Sequence, residues 1–127
     1  MTAKPISTRV SVSVALGLAT AIIVLSVVPP TLRPETGLPH GLEHFTIFWA
    51  TDLAFASVCE LKPGLLATLL VFFSGAVEIA QLFVPGRHAR MTDFIVDGLA
   101  ITVGAMTVLL VTQKLGFTAQ AVDQNMD

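Results

Sequence analysis

Four apolar stretches divide the chain, with polar residues gathered at their borders. Val10 to Val28 runs 19 residues without a charge, and at about 1.5 Å per residue that just crosses a hydrocarbon layer about 30 Å thick. His44 to Cys59 is the least hydrophobic stretch and carries Asp52. Gly64 to Val84 is interrupted by Glu78 and Gln81, and Phe94 to Thr112 by Asp97. Inside lipid each segment must satisfy its own backbone hydrogen bonds, so spans of this kind are helices. The pattern predicts an all-α fold: one domain over residues 1–127, an integral membrane bundle of four antiparallel transmembrane helices at 10–28, 44–59, 64–84 and 94–112. Pro29-Pro30 and Pro85-Gly86 stop the first and third helices, and Glu60 to Pro63 leaves room only for a hairpin. Residues 116–127 read as a short frayed tail.

Composition strengthens the membrane reading. Hydrophobic residues make up 54% of the 127 and charged residues 13%, about half the charged share of an ordinary soluble domain. The mean hydropathy is +0.79. A net charge of −2 leaves no basic surface to neutralise a run of phosphates, which excludes nucleic-acid binding. Cys59 is alone, so neither an intrachain disulfide nor a cysteine-based zinc site can form. Lys4 and Arg9 precede the first span as a signal peptide's would, but the Ser26-Val27-Val28-Pro29-Pro30 that follows offers no small-x-small cleavage site; an uncleaved anchor is expected. Lys4, Arg9, Lys62 and Lys114 fall on one side of a four-span bundle and Arg33, Arg87 and Arg90 on the other. That predicts both termini inside and the loops after the first and third spans outside.

Ionisable groups inside spans are costly unless paired, so Asp52, Glu78 and Asp97 call for an explanation. Glu78 and Gln81, three apart, share a helical face, as do Asp93 and Asp97, four apart. An antiparallel bundle brings His40, Glu43, His44, Glu78, Gln81, Arg87, His88, Arg90, Asp93 and Asp97 to one membrane face; Asp52 alone lies nearer the middle. Polar bonds between helices, such as Glu78 or Asp97 with Arg87 or His44, would account for part of this set without a ligand. Arg87, His88 and Arg90 could instead hold a lipid phosphate or another anionic head group. Gly17 and Ala21, Ala76 and Ala80, and Ala100 and Gly104 carry the four-residue spacing of close helix approach.

Two catalytic signatures fail on inspection. His40-Gly41-Leu42-Glu43-His44 matches H-x-x-E-H, in which two helical histidines bind zinc, but a loop-to-span boundary beside Pro39 does not assure a helix that presents both; no metal and no cofactor is expected. Ser74 is embedded in an apolar run with no Gly-x-Ser-x-Gly elbow, so nucleophilic catalysis is not indicated.

Glu78-Ile79-Ala80-Gln81, followed by Pro85-Gly86-Arg87 and then Asp93 and Asp97, resembles the VanZ-like family of small bacterial membrane proteins. That family shows E-x-x-Q, P-x-R, and an Asp followed four residues later by Asn, and its His-Phe pair is matched by His44 and Phe45. The likeness covers about His40 to Gly104. The departures are His40-Gly41 in place of Asp-Lys, Asp97 in place of Asn, and Ala100 in place of Gly. The resemblance implies a multi-pass protein of the bacterial cytoplasmic membrane, linked through the family to teicoplanin-type glycopeptide resistance.

Two functions are then open. One is binding of an anionic or polar envelope component, such as a membrane lipid or lipid-linked precursor, at an outward cluster of His44, Glu78, Gln81, Arg87, Asp93 and Asp97. The other is an enzyme acting on such a compound, with His44, Glu78 and Asp93 as candidate catalytic groups. A proton relay through Asp52 and Glu78 is a third, weaker reading.

Overall fold

The structure, a computed structural model, describes residues 6–34 and 36–123, with side chains over 9–34 and 36–116. Lys4 and the last four residues of the expected tail lie outside this range. Four helices follow in order: α1 (Ile6–Val27), α2 (His40–Ala56), α3 (Pro63–Gln81) and α4 (Met91–Asp123), with a 3-10 turn at Pro30–Leu32. No strand occurs among the described residues, and the fold is all-α.

Prolines set most of the boundaries. Pro29-Pro30 cannot continue α1, because proline lacks the N–H and restrains the residue before it. Pro39 holds an extended backbone and α2 starts directly after it, while Pro63 occupies the first turn of α3, where a missing N–H costs nothing. Between α3 and α4 the chain turns at Gly86 with φ +79°, a conformation that a side chain would strain.

The helix bounds differ from the expected segments in two places. The second span was expected at 44–59, but α2 begins at His40 and stops at Ala56, since Pro39 lets the helix start one turn earlier and Ser57 closes it. At 17 residues α2 is about 25 Å long, short of the hydrocarbon thickness. Three helices rather than four are therefore long and apolar enough to cross a membrane: α1 over Arg9–Val27, α3 over Pro63–Gln81 and α4 over Met91–Gly116. That is the make-up of a multi-pass membrane protein. The second difference is at the expected tail. Gly116 alone costs a helix only about 1 kcal/mol relative to alanine, no proline follows it, and α4 continues to Asp123.

The helices alternate in direction. The end of α1, the start of α2, the end of α3 and the start of α4 meet at one end of the bundle, as the hydrogen bonds among Leu25, His44, Ser74, Arg87 and Asp97 show. α2 and α3 each pack on every other helix, whereas α1 and α4 do not touch among the described residues.

Polarity is inverted relative to a water-soluble bundle. Leu65, Leu69, Phe72 and Ile79 on α3, and Leu99, Val103, Met106 and Leu110 on α4, point outward. Thr51, Asp52, Ser74, Glu78, Gln81, Asp93 and Asp97 are buried. On α4 the buried positions Asp93, Asp97, Ala100, Ile101 and Gly104 follow the helical period and face α2 and α3. Phe48, Leu66, Leu70, Val77, Ala100 and Ile101 form the apolar core, with Ile22 from α1.

Of the three small-residue pairs, Ala100 and Gly104 are buried at a helix contact, whereas Gly17 is exposed with open space around it. A methyl group on Gly104 would overlap the Asp52 carboxylate and stand 3.0 Å from its Cγ and 3.1 Å from its Cβ. α2 and α4 can approach this closely only without a side chain at 104. Gly104→Ala should destabilise the detergent-solubilised protein by about 1–3 kcal/mol, the usual cost of overpacking. Asp52→Ala should recover much of that loss in the double variant, because only the Cβ approach remains. Thermal unfolding of both single variants and the double variant measures the coupling, and Gly104→Ala matching the parent would refute the contact.

Candidate functional site

The polar end of the bundle is assembled from three helix termini. α2 enters with His40 and His44, one turn apart on one face; α3 leaves with Ser74, Glu78 and Gln81 along a single stripe; α4 enters with Asp93 and Asp97. The up-and-down arrangement brings the three stripes together.

Asp97, with 0% of its surface exposed, joins all three. One carboxylate oxygen lies 2.9 Å from His44 Nδ1, and the other accepts a hydrogen bond of 2.8 Å from Ser74 Oγ. Nδ1 is thus the His44 nitrogen turned to Asp97, and Nε2 has no hydrogen bond among the described residues. Asp93, one turn nearer the surface, repeats the pairing with His40, Nε2 to Oδ2 at 3.1 Å. The His40 and His44 rings meet edge to face with centroids 4.6 Å apart.

Glu78 is 7% exposed and engaged at one oxygen only. Its Oε2 accepts the backbone N–H of Arg90 at 3.2 Å, while Oε1 is buried without a hydrogen-bond partner among the described residues. One ligand-capable atom from each of His44, Glu78 and Asp97 lies within 4.8 Å of the others, and the same holds for His40, His44 and Asp93.

Arg87 closes the assembly against α1. Its Nε and Nη2 donate to the Val28 carbonyl at 3.2 and 2.9 Å, and Nη2 also donates to the carbonyl of Leu25. Positive charge at a helix C-terminus is favoured by the helix dipole and satisfies carbonyls that α1 leaves open. Burial, and then the nearby charge of Arg33, pull the Arg87 pKa below the usual arginine value. Glu43 pairs with Arg33 at 2.9 Å and accepts from Thr36, and its Oε2 also lies 3.9 Å from Nδ1 of His40.

Two cavities flank these residues. One, about 340 Å³, is polar and lined by His40, His44, Gln81, Arg87, Arg90 and Asp93 among others. The other, about 370 Å³, extends between α1 and α2 along Leu18, Ile22, Leu25, Ile47 and Phe48. His44, Gln81 and Arg87 stand in the walls of both.

His44, Glu78, Gln81, Arg87, Asp93 and Asp97 are thus all brought to this end, and Asp52 is not. Asp52 is buried against Gly104, with neither carboxylate oxygen hydrogen-bonded among the described residues. Two participants escape a reading of the chain as separate motifs. Ser74 looks like packing in an apolar run, yet it lies four residues before Glu78 and seven before Gln81, on the polar stripe itself. His40 reads as a loop residue until α2 is seen to begin there.

No protein-family model, curated protein or solved structure matches this chain.

Removing the Asp97 carboxylate leaves His44 and Ser74 facing each other without an acceptor. Asp97→Ala should cost about 3–5 kcal/mol, as expected for breaking a buried pair. Asp97→Asn, which keeps a carbonyl acceptor in the same shape, should cost about 1 kcal/mol, near the net value of one hydrogen bond. Equal losses in the two variants, measured by thermal unfolding in detergent, would show that volume rather than hydrogen bonding matters at this position.

Proposed function

We propose that this is a VanZ-like protein of the bacterial cytoplasmic membrane that binds an amphiphile with an anionic head group, an envelope lipid or lipid-linked precursor. His44, Gln81, Arg87 and Asp93 line the polar cavity, and Glu78 and Asp97 neighbour His44 behind that lining. The observation that carries the reading is the pair of adjoining cavities. A charged compartment and an apolar one share His44, Gln81 and Arg87, which suits a ligand with a polar head and a hydrocarbon tail. Arg90 and His88 at the rim and Arg87 in the wall favour a negative head group. The resemblance of the Glu78-to-Asp97 segment to the VanZ-like pattern points to the same cellular setting, and to glycopeptide resistance as the physiological context.

In this proposal α2 completes a fourth crossing. Its side chains keep pace with α4, His40 beside Asp93 and Asp52 beside Gly104, and local bilayer thinning accommodates its shortness. Both termini are then cytoplasmic and the polar end faces outward.

The test uses a polyprenyl phosphate, the matching polyprenol and inorganic phosphate, each added to the detergent-purified protein. The lipid phosphate should raise the unfolding temperature, with the stabilisation approaching about 2.7 kcal/mol at 100 times Kd, and neither other compound should match it. Leu18→Trp, which narrows the apolar cavity, should weaken the effect, and Arg90→Ala should weaken binding about tenfold, the loss of one charge-assisted contact. Equal stabilisation by the alcohol, or binding indifferent to both variants, would refute the reading.

A further inference from the structure

The geometry points to a divalent metal site, of the class that takes Zn2+, in which His40, His44 and Asp93 are the ligands and Asp97 with Ser74 is the support behind His44. This goes beyond the amphiphile reading and does not depend on it.

The first observation is the donor set. His40 and His44 are one helical turn apart on α2, the spacing at which two imidazoles can share one ion, and Asp93 of α4 closes the triangle. Ligand-capable atoms of the three lie within 4.8 Å of one another, and His40 Nε2 and Asp93 Oδ2 are 3.1 Å apart. Zinc bonds of about 2.0–2.1 Å in a tetrahedron set neighbouring ligand atoms about 3.3 Å apart, so this edge already has nearly the required length. Two imidazoles and a carboxylate are a zinc donor set that leaves a fourth position, and all three residues line the polar cavity.

The second observation is independent of the first. A metal-bound histidine commonly donates its other ring N–H to a carboxylate, which fixes the tautomer and the ring plane. His44 has that partner: Asp97 holds Nδ1 at 2.9 Å and is itself held by Ser74 at 2.8 Å. Nε2 is the nitrogen left over, with no hydrogen bond among the described residues. The neighbouring Glu78 carboxylate is more than nine-tenths buried, has an unpartnered Oε1 among the described residues, and contributes to the second 4.8 Å cluster with His44 and Asp97. A free acceptor at this place suits a water molecule or hydroxide bound to the ion.

α2 also removes the objection that the sequence raised against the H-x-x-E-H pattern, since the helix begins at His40 and presents both histidines on one face. Glu43 is held by Arg33 and Thr36 and belongs to neither donor cluster, its Oε2 facing the Nδ1 side of His40 at 3.9 Å.

The experiment is a titration of the full chain, purified in detergent without a polyhistidine tag and stripped by a chelator, with Co2+ followed by its visible d–d absorption and with Zn2+ as competitor. One equivalent of Co2+ should bind and be displaced by Zn2+. His40→Ala, whose side chain is 40% exposed, should lower Co2+ affinity at least 100-fold with an unchanged far-ultraviolet circular dichroism spectrum. Asp93→Asn should do the same. Asp97→Asn should lower affinity 10–100-fold and alter the absorption band, as a positioning residue would. Absence of one-to-one binding in the parent, or affinity within threefold of the parent in folded His40→Ala, would overturn the proposal. Loss of binding in His88→Ala with retention in His40→Ala would overturn it as well.

Discussion

The buried carboxylate of Asp97 is the constraint around which the polar end of the bundle is organised. A charge cannot sit between helices in an apolar surround unless donors meet it on each side, and here the donors come from two different helices. Ser74 of α3 and His44 of α2 converge on Asp97 of α4, so one side chain fixes the relative rotation and height of three helices. In water such a bond would add little. Within a bundle whose outer surface is apolar it also excludes alternatives, because any slip of a helix by one turn leaves a polar group without a partner.

The remaining polar positions follow from that registration. With α2 and α4 set by His44 and Asp97, His40 falls opposite Asp93 one turn outward, and Asp52 falls against Gly104 two turns inward. The outward contact is hydrogen-bonded and open to a cavity; the inward one is tight, with no hydrogen bond to the Asp52 carboxylate among the described residues. α1 is joined differently, through the Arg87 guanidinium at its C-terminal carbonyls and through Ile22 in the core. It makes no contact with α4 among the described residues, and the apolar cavity lies between it and α2. The same arginine that caps α1 therefore stands where that cavity meets the polar one.

This arrangement gives a site with a rigid inner wall and a softer outer one. Asp97, Ser74 and Gln81 are almost wholly buried and held by helices packed on several sides. His40, His88 and Arg90 are more exposed and belong to helix starts and the loop before α4. A ligand head group or an ion entering from the rim would meet the exposed donors first and the buried, positioned ones last.

Much of the architecture was legible in the sequence, for a physical reason. Lipid-compatible helices announce themselves by length and hydrophobicity, and Pro29, Pro63 and Pro85 mark where backbone hydrogen bonding must break. The gathering of His44, Glu78, Gln81, Arg87, Asp93 and Asp97 at one end follows from alternating helix direction alone. Periodicity does not say which polar groups become partners. His44 with Asp97 and Asp93 with His40 depend on helix register, and Ser74 joins them because α3 rotates its Ser74-Glu78-Gln81 stripe inward. Local signals also misplace ends: α2 gains His40 and stops at Ala56, and α4 runs past Gly116, since a helix extends until packing or capping favours another conformation. The sequence by itself determined that these helices form and that their charged residues must hide from lipid. Only the tertiary structure decided which groups hide together, because pairing is a property of contacts between segments distant along the chain.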